Sequence, residues 1–350
     1  MKEKTRVVFM GSARISCVAL EALLKAPWLE VAGAVAQPDR PVGRNRGNTP
    51  PMPCPGKACA VEHGIPVITP ARVNKPEVLS QIWAWAPDVI VVVSYGQILK
   101  APLLNLPPLG CVNLHLSLLP KHRGAAPVKW AIADGDTRTG VTVMQMDEGM
   151  DTGCILAQSM EDILPGDTSE TLTERLSKRG AILLVDTLRQ LVKGTAEPVA
   201  QNSNEATYAP KLSKDDGWIA WDSKAKEIVQ RIRAFQPWPG SCTFLPVKSG
   251  DTVRPTRVRI FRAEAVARPR GTGGACAGTV LAASDADGLL IAAESGAVRI
   301  LEVQAEGGRR MSIGCFLRGR SVPVGGILPP PPPPAALSSS SSAPLELDAL

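Results

Sequence analysis

The sequence predicts an α/β fold: a doubly wound, Rossmann-like, mostly parallel sheet followed by a small C-terminal β-barrel of OB-like type. Three observations carry this expectation. Apolar strand patterns alternate with helix patterns through residues 1–190. Residues 211–327 instead hold one helix pattern and several short β-like runs punctuated by Gly, Pro and Asp. Between them, Pro198 to Pro210 is polar, with Gln201-Asn202-Ser203-Asn204-Glu205 at its centre. The expected organisation is a domain at 1–195, a linker at 196–210, a second domain at 211–327 and a Pro/Ser-rich tail at 328–350.

In chain order, Arg6–Phe9 reads as a buried strand that ends at Gly11. A helix is expected over Cys17–Lys25, with Ser16 as its N-cap, because a serine oxygen can accept from an otherwise unpaired first-turn amide. Val31–Ala36, Pro66–Thr69, Val89–Ser94 and Cys111–Leu116 read as further strands, and Gly56–His63 and Pro76–Ala86 as helices between them. Two strands follow, Thr139–Met146 and Cys154–Ser159, with Asp151 in the turn that joins them. Thr168–Lys193 reads as a long helix, acidic at its start (Glu170) and basic at its end (Lys193), stopped by Gly194. In the second half, Lys224–Phe235 is a helix. Cys242–Leu245, Val258–Phe261, Gly278–Leu281, Gly288–Ala292 and Ala297–Val303 are strands. Six consecutive prolines (Pro329–Pro334) and five serines (Ser338–Ser342) predict a solvated tail, stiff and then flexible.

The apolar run Val89–Val93 is far too short to span a bilayer, and the N-terminus lacks the pattern of a secretory signal, so a cytoplasmic protein is expected. The eight cysteines form no C-x-x-C pair, and no histidine lies at zinc-ligand spacing from a cysteine pair, which predicts reduced thiols and no metal site. Charge is uneven. Residues 211–327 carry 18 Lys and Arg against 11 acidic residues, whereas residues 1–210 are nearly balanced at 21 against 20. A basic excess confined to one half suits a polyanionic partner, and equally a soluble basic surface without one.

The stretch Gly110 to Ile155 holds the chemistry. Asn113 and His115 stand two apart at the end of an apolar strand, so their side chains share a face. An amide and an imidazole side by side can donate to one developing oxyanion. Asp151, in a glycine-flanked turn, could reach the imidazole and set its tautomer. There is no G-x-S-x-G elbow or other nucleophile motif, so the expected reaction is direct attack of a substrate amine on an activated acyl carbon, with proton removal by a base.

Asn113-Leu114-His115, Ser117-Leu118-Leu119-Pro120, Arg123-Gly124-Ala125-Ala126-Pro127 and the turn Asp147 to Gly153 together resemble the folate-dependent formyltransferases. Gln37 to Arg44, Arg233 to Pro239 and Met311 to Arg320 narrow the resemblance to bacterial members that act on methionyl-initiator tRNA, over roughly residues 1–327. The resemblance implies 10-formyltetrahydrofolate as donor and no metal. It implies Asn113, His115 and Asp151 as the catalytic trio, and Ser117, Leu118, Leu119 and Pro120 as the lining of the folate site. It implies that the loop Asp39 to Pro53 meets the tRNA acceptor stem through Arg40, Arg44 and Arg46, and that the basic second half is an electrostatic platform for tRNA. A monomer is expected. The chain departs from the family pattern at Gly11-Ser12-Ala13-Arg14-Ile15-Ser16, where Pro and Phe are absent. It also departs at Leu116, where a small residue is common, and at Asn45-Arg46-Gly47-Asn48, where lysines are usual.

Three other readings stand beside this one. A small-amine acceptor (an amino-sugar nucleotide or glycinamide ribonucleotide) keeps the chemistry but leaves the arginine loop and the basic half without a role. A nucleotide-dependent oxidoreductase requires G-x-G-x-x-G after the first strand, and only Gly11 is present. A non-catalytic RNA-binding protein has no need of the trio.

Overall fold

The computed structural model describes residues 4–41, 50–249, 252–284 and 287–330. Arg44, Arg46 and the tail from 331 lie outside the described residues. The chain divides into two compact units, Met1–Leu212 and Ser213–Leu350.

In the first unit the elements run β1 (Thr5–Gly11), α1 (Arg14–Lys25), β2 (Leu29–Val35), β3 (Arg40–Pro41), β4 (Pro51–Met52), α2 (Pro55–Glu62), β5 (Val67–Ile68), α3 (Pro76–Ala84), β6 (Val89–Val93), α4 (Ala101–Leu104), β7 (Cys111–His115), α5 (Pro127–Ala133), β8 (Arg138–Gln145), β9 (Ile155–Asp162) and α6 (Ser169–Val192). Seven strands form one sheet in the order β5-β2-β1-β6-β7-β8-β9. The first five are mutually parallel, and β8 and β9 extend the sheet antiparallel. Val89 to Val93 are all buried, as a central strand covered on both faces requires. Val8, Met10, Ile90 and Val92 face a core with Ile82, Tyr95 and Leu103. The other face is covered by α1 and α6, where Gly180 of α6 lets Leu114 of β7 approach closely.

Strand order reverses between β1 and β6, the place where ligands bind beyond the carboxyl ends of such sheets. The altered first loop takes part in stitching these ends together. Ser12 Oγ donates to the Tyr95 carbonyl (3.2 Å) and accepts from Gln37 N (3.0 Å).

Helix α1 corrects one expectation. Its N-cap is Ala13, and it begins at Arg14. Ser16 lies a turn inside, fully buried, with Oγ donating back to the Ala13 carbonyl at 2.6 Å. Gly11 and Gly56 crowd its side chain, so the serine serves close packing rather than capping. By contrast Thr168 does cap α6, through reciprocal bonds with Thr171.

The second unit contains α7 (Ala225–Ala234), β10 (Ser241–Ser249), β11 (Thr252–Val266), β12 (Val280–Ser284), β13 (Gly288–Ala292), β14 (Ala297–Ala305), β15 (Arg310–Ser312) and α8 (Ile313–Arg318). The antiparallel sheet runs β10-β11-β14-β13-β12, with β15 on β14, and curls in the manner of a small barrel. Ile228 and Ile232 of α7 pack with Leu245, Val258, Ile260, Val298 and Phe316 in its core. The segment 321–328 bridges the two edges. Ser321 pairs with Lys248 of β10, while Gly325 and Gly326 bond Val280 of β12. Leu328, where the tail was expected to begin, is buried in this core.

Candidate active site

Strand β7 presents Asn113 and His115 on one face. In the register of the sheet Asn113 sits beside Val92 and Met144, and His115 beside Thr142. Both side chains are largely buried. Asp151 is carried to them by the turn after β8, in which Asp147 Oδ1 accepts from Gly149 N (3.0 Å) and Thr152 Oγ1 (2.6 Å). The turn folds so tightly on β8 that a Cβ at Gly153 would collide with the Gln145 carbonyl oxygen. Asp151 itself has φ of 56°, unusual for a residue with a side chain.

The three groups expected to act together do converge. Asp151 Oδ1 lies 3.5 Å from Asn113 Nδ2, and Oδ2 lies 3.7 Å from His115 Nδ1. The strongest bond to the carboxylate comes from elsewhere, the backbone N–H of Gly124 at 2.7 Å to Oδ2. His115 Nε2 lies 2.9 Å from the carbonyl oxygen of His122. A carbonyl only accepts, so Nε2 carries a hydrogen and Nδ1 is the nitrogen turned toward Asp151. His122 is fixed in turn, its N–H on Thr207 Oγ1 (2.8 Å) and its Nε2 on Asp136 (2.7 Å).

Residues 117–120 form the wall beside this cluster, with a cis Leu119–Pro120 bond. Ser117 and Leu119 are buried, and Leu118 and Pro120 are half-buried. Ser117 Oγ donates to the Lys121 carbonyl (2.6 Å), and Thr142 Oγ1 donates to the Ser117 carbonyl (2.7 Å). Gln158 Nε2 holds the Leu119 carbonyl at 2.8 Å. Leu116 is buried. Beside the polar trio the margin is apolar. Met150 is exposed on the turn, and Glu148 of the same turn accepts from Ala101 N (3.1 Å), close in sequence to the exposed Ile98.

Sequence reasoning passed over several residues that build the site. Thr142 and Gln158 anchor residues 117–119 from β8 and β9. Gln201, in the segment expected to be a linker, bonds both Arg123 and the Asp151 turn. That segment is fastened along the first unit, with Val199 bridged to Ile155 and Tyr208 to Arg123. No local pattern marks a glutamine in a polar stretch as anything but solvated.

Of the arginines expected to meet tRNA, Arg40 is exposed on β3, and Arg44 and Arg46 lie outside the described residues. The second unit carries a further cationic surface. Arg257 lies over the Trp218 ring (4.9 Å), which stacks on Phe244 with centroids 5.2 Å apart. Arg259 and Arg310 lie over Phe261 at 4.9 and 4.3 Å. Alternation along β11 turns Val258 and Ile260 into the core and leaves Arg257, Arg259 and Phe261 on the outer face.

The cysteines are free thiols, and burial pushes Cys111, in the strand that bears Asn113 and His115, up to about 12. That makes it an inert packing residue. Among the described residues no group of three or more His, Cys, Asp or Glu is placed to hold a metal ion.

Comparison with known proteins follows the same division. The formyl transferase family model matches residues 5–188, and the model of the formyl transferase C-terminal domain matches 211–321. The methionyl-tRNA formyltransferase of Desulfotalea psychrophila is 43% identical over 321 residues, covering 92% of this chain and 94% of its own. That of Geotalea daltonii is 42% identical over 320 residues, covering 91% and 97%. Among solved structures, the sugar 3N-formyl transferase WlaRD, studied with dTDP and 5-N-formyl-THF, superposes with a TM-score of 0.58 at 17% identity, covering 87% of this chain and 97% of that one. An N-formyltransferase from Helicobacter canadensis gives 0.57 at 17% identity, covering 85% and 99%.

Proposed function

We infer that this chain, which belongs to the formyl transferase family, moves the formyl group of 10-formyltetrahydrofolate onto the amino group of methionine esterified to initiator tRNA. The observation that carries the chemistry is the convergence of Asn113, His115 and Asp151 within 3.7 Å at the carboxyl end of β7. The choice of acceptor is supported by full-length kinship with enzymes named for methionyl-tRNA.

The residues fit a reduced folate as co-substrate, because an apolar margin at Met150, Leu118 and Pro120 adjoins the polar cluster. The folate supplies a formyl group activated by its attachment to nitrogen. As the substrate amine bonds to the formyl carbon, negative charge develops on the formyl oxygen. Asn113 Nδ2 donates to that oxygen, and the His115 imidazole, its Nδ1 edge turned to the site, steadies it from beside. Asp151 accepts the proton released by the amine and returns it to the departing folate nitrogen as the old C–N bond breaks. The two proton movements cancel, so the enzyme regains its starting state. The 2.7 Å bond from Gly124 N–H keeps the carboxylate in place throughout.

Arg40, Arg44 and Arg46 contact the acceptor stem in this reading, with guanidinium forks suited to phosphates and base edges. The outer face of β11 supplies part of the basic platform, since Arg257 is pre-ordered on the Trp218 ring and loses little freedom on meeting phosphate. The enzyme works as a monomer in the cytoplasm. Among the described residues no helix is long and apolar enough to cross a membrane.

The test is a formyl-transfer assay with 10-formyltetrahydrofolate and methionyl-initiator tRNA, run beside uncharged tRNA, an amino-sugar nucleotide and glycinamide ribonucleotide. Formylation of the charged tRNA alone is expected. Transfer to a small amine but not to the tRNA would overturn the acceptor, and no transfer to any of them would overturn the reaction.

A further inference from the structure

We propose that Gln201 is a positioning residue for the reaction, the clasp that holds the Asp151 turn in its catalytic geometry. Its carboxamide uses every hydrogen-bonding valence on three residues. Oε1 accepts from Nε and NH2 of Arg123 at 3.1 and 2.8 Å, and Nε2 donates to the carbonyls of Asp151 (2.9 Å) and Gly153 (2.7 Å). The orientation of the amide is unambiguous, because a guanidinium only donates and a carbonyl only accepts.

The contacts close a ring. Arg123 is buried and is followed by Gly124, whose N–H holds the Asp151 carboxylate. Asp151 is thus gripped twice by the same dipeptide, directly at its side chain and through Gln201 at its backbone. Arg123 is itself fixed to the segment that carries Gln201, its N–H on the Thr207 carbonyl (2.8 Å) and its carbonyl on Ala209 N (2.7 Å). What the ring restrains is a non-glycine residue with φ of 56°, a conformation that persists where its surroundings over-determine it. Loss of the clasp frees the backbone of Asp151 to relax, which moves Oδ2 relative to His115 Nδ1. Displacements of about 1 Å at reacting groups cost up to about a hundredfold in rate.

The inference rests on the reaction proposed above for its kinetic test and stands apart from it in a second one. Two full-length variants serve. Gln201→Met keeps the shape and loses all four bonds. Gln201→Glu keeps acceptors for Arg123 but turns an anionic oxygen toward the Asp151 and Gly153 carbonyls. In both, kcat is expected to fall about 10- to 100-fold with KM for folate and for tRNA within about twofold. The pH profile of kcat should shift in both, and the melting temperature should fall further in Gln201→Met, which leaves the buried Arg123 guanidinium without this acceptor, than in Gln201→Glu, which keeps one. The second measurement compares the imidazole resonances of His115 by NMR at one pH without substrates, assigned with His115→Gln. The His115 resonances should move in both variants, because Asp151 faces its Nδ1. An unchanged kcat, or a reduced kcat with an unchanged pH profile, would overturn the proposal. Unmoved His115 resonances would overturn it even if no acceptor were formylated. Absence of transfer by the unaltered chain would instead count against the proposed reaction, and the NMR comparison would still decide the role of Gln201.

Discussion

The imidazole of His115 is held by the backbone of His122, Nε2 to carbonyl oxygen at 2.9 Å, so that its other nitrogen is the one presented to Asp151. The bond fixes both the plane of the ring and the nitrogen available to substrate. Replacing His115 with Ala is therefore expected to lower kcat by about a hundred- to ten-thousand-fold, the range for a positioned acid, base or oxyanion donor. Affinity for tRNA, measured by filter binding, should stay within about twofold. Full activity in that variant would remove His115 from the mechanism.

Gly153 permits the close return of the Asp151 turn onto β8, and its added Cβ would collide with the Gln145 carbonyl. Gly153→Ala should destabilise the protein by about 1–3 kcal/mol in chemical denaturation, the usual cost of overpacking. It should also depress kcat by displacing Asp151. Gly166→Ala is the control, since a Cβ there meets nothing within 4 Å. Equal effects of the two substitutions would contradict the steric account.

Asp167 is buried and accepts from Arg175 NH1 (3.0 Å) and NH2 (2.8 Å), Leu164 N (2.8 Å) and Thr171 Oγ1 (2.9 Å). Burial alone would raise its carboxyl. The hydrogen bonds led by Arg175 outweigh burial and hold it below the usual aspartate range. A folded-state value below the unfolded one means stability that is complete above the unfolded value and lost as pH falls through the folded one. Asp167→Asn should cost about 1–3 kcal/mol near neutrality, discounted because Arg175 is partly exposed. It should also flatten the loss of stability below about pH 4. Parallel acid-unfolding curves for the two proteins would show that the cluster does not contribute.

Binding to initiator tRNA should weaken steeply with salt. Arg257→Gln should reduce the slope of log affinity against log salt by about 1. Equal slopes in variant and unaltered chains would place the phosphate contacts elsewhere.

Arg44→Ala should reduce transfer to tRNA while sparing slow hydrolysis of the folate donor. Equal loss of both would argue against a role specific to tRNA.

Much of the fold was legible because the parallel strands announce themselves. Val89–Val93 is too short and too uniformly apolar to be anything but a central strand between helices, and it was found within a residue of its observed end. Asn113 and His115 were legible for the same reason, since the two-residue period of β7 puts them on one face. The antiparallel direction of β8 was not, because pairing direction leaves no local trace. Helix α5, entered through Pro127 directly after Arg-Gly-Ala-Ala, was hidden by residues that also read as loop. Ser16 reads as a cap in the sequence because capping and burial favour the same small hydroxyl. Gln201 was unreadable on physical grounds: its partners lie 50 and 78 residues away, and a carboxamide gains meaning only from what surrounds it.

The match of the formyl transferase model ends at residue 188, yet Gln201, Thr207 and Ala209 bond residues that build the candidate site. Recombination between relatives at the boundary drawn by similarity would pair a turn from one parent with a clasp from another. On the role proposed for Gln201, the heritable unit extends beyond residue 188 toward Leu212, where the first compact unit ends. Asp151, Arg123 and Gln201 are then expected to diverge together, and chimaeras to retain activity when the crossover falls after that residue rather than before it.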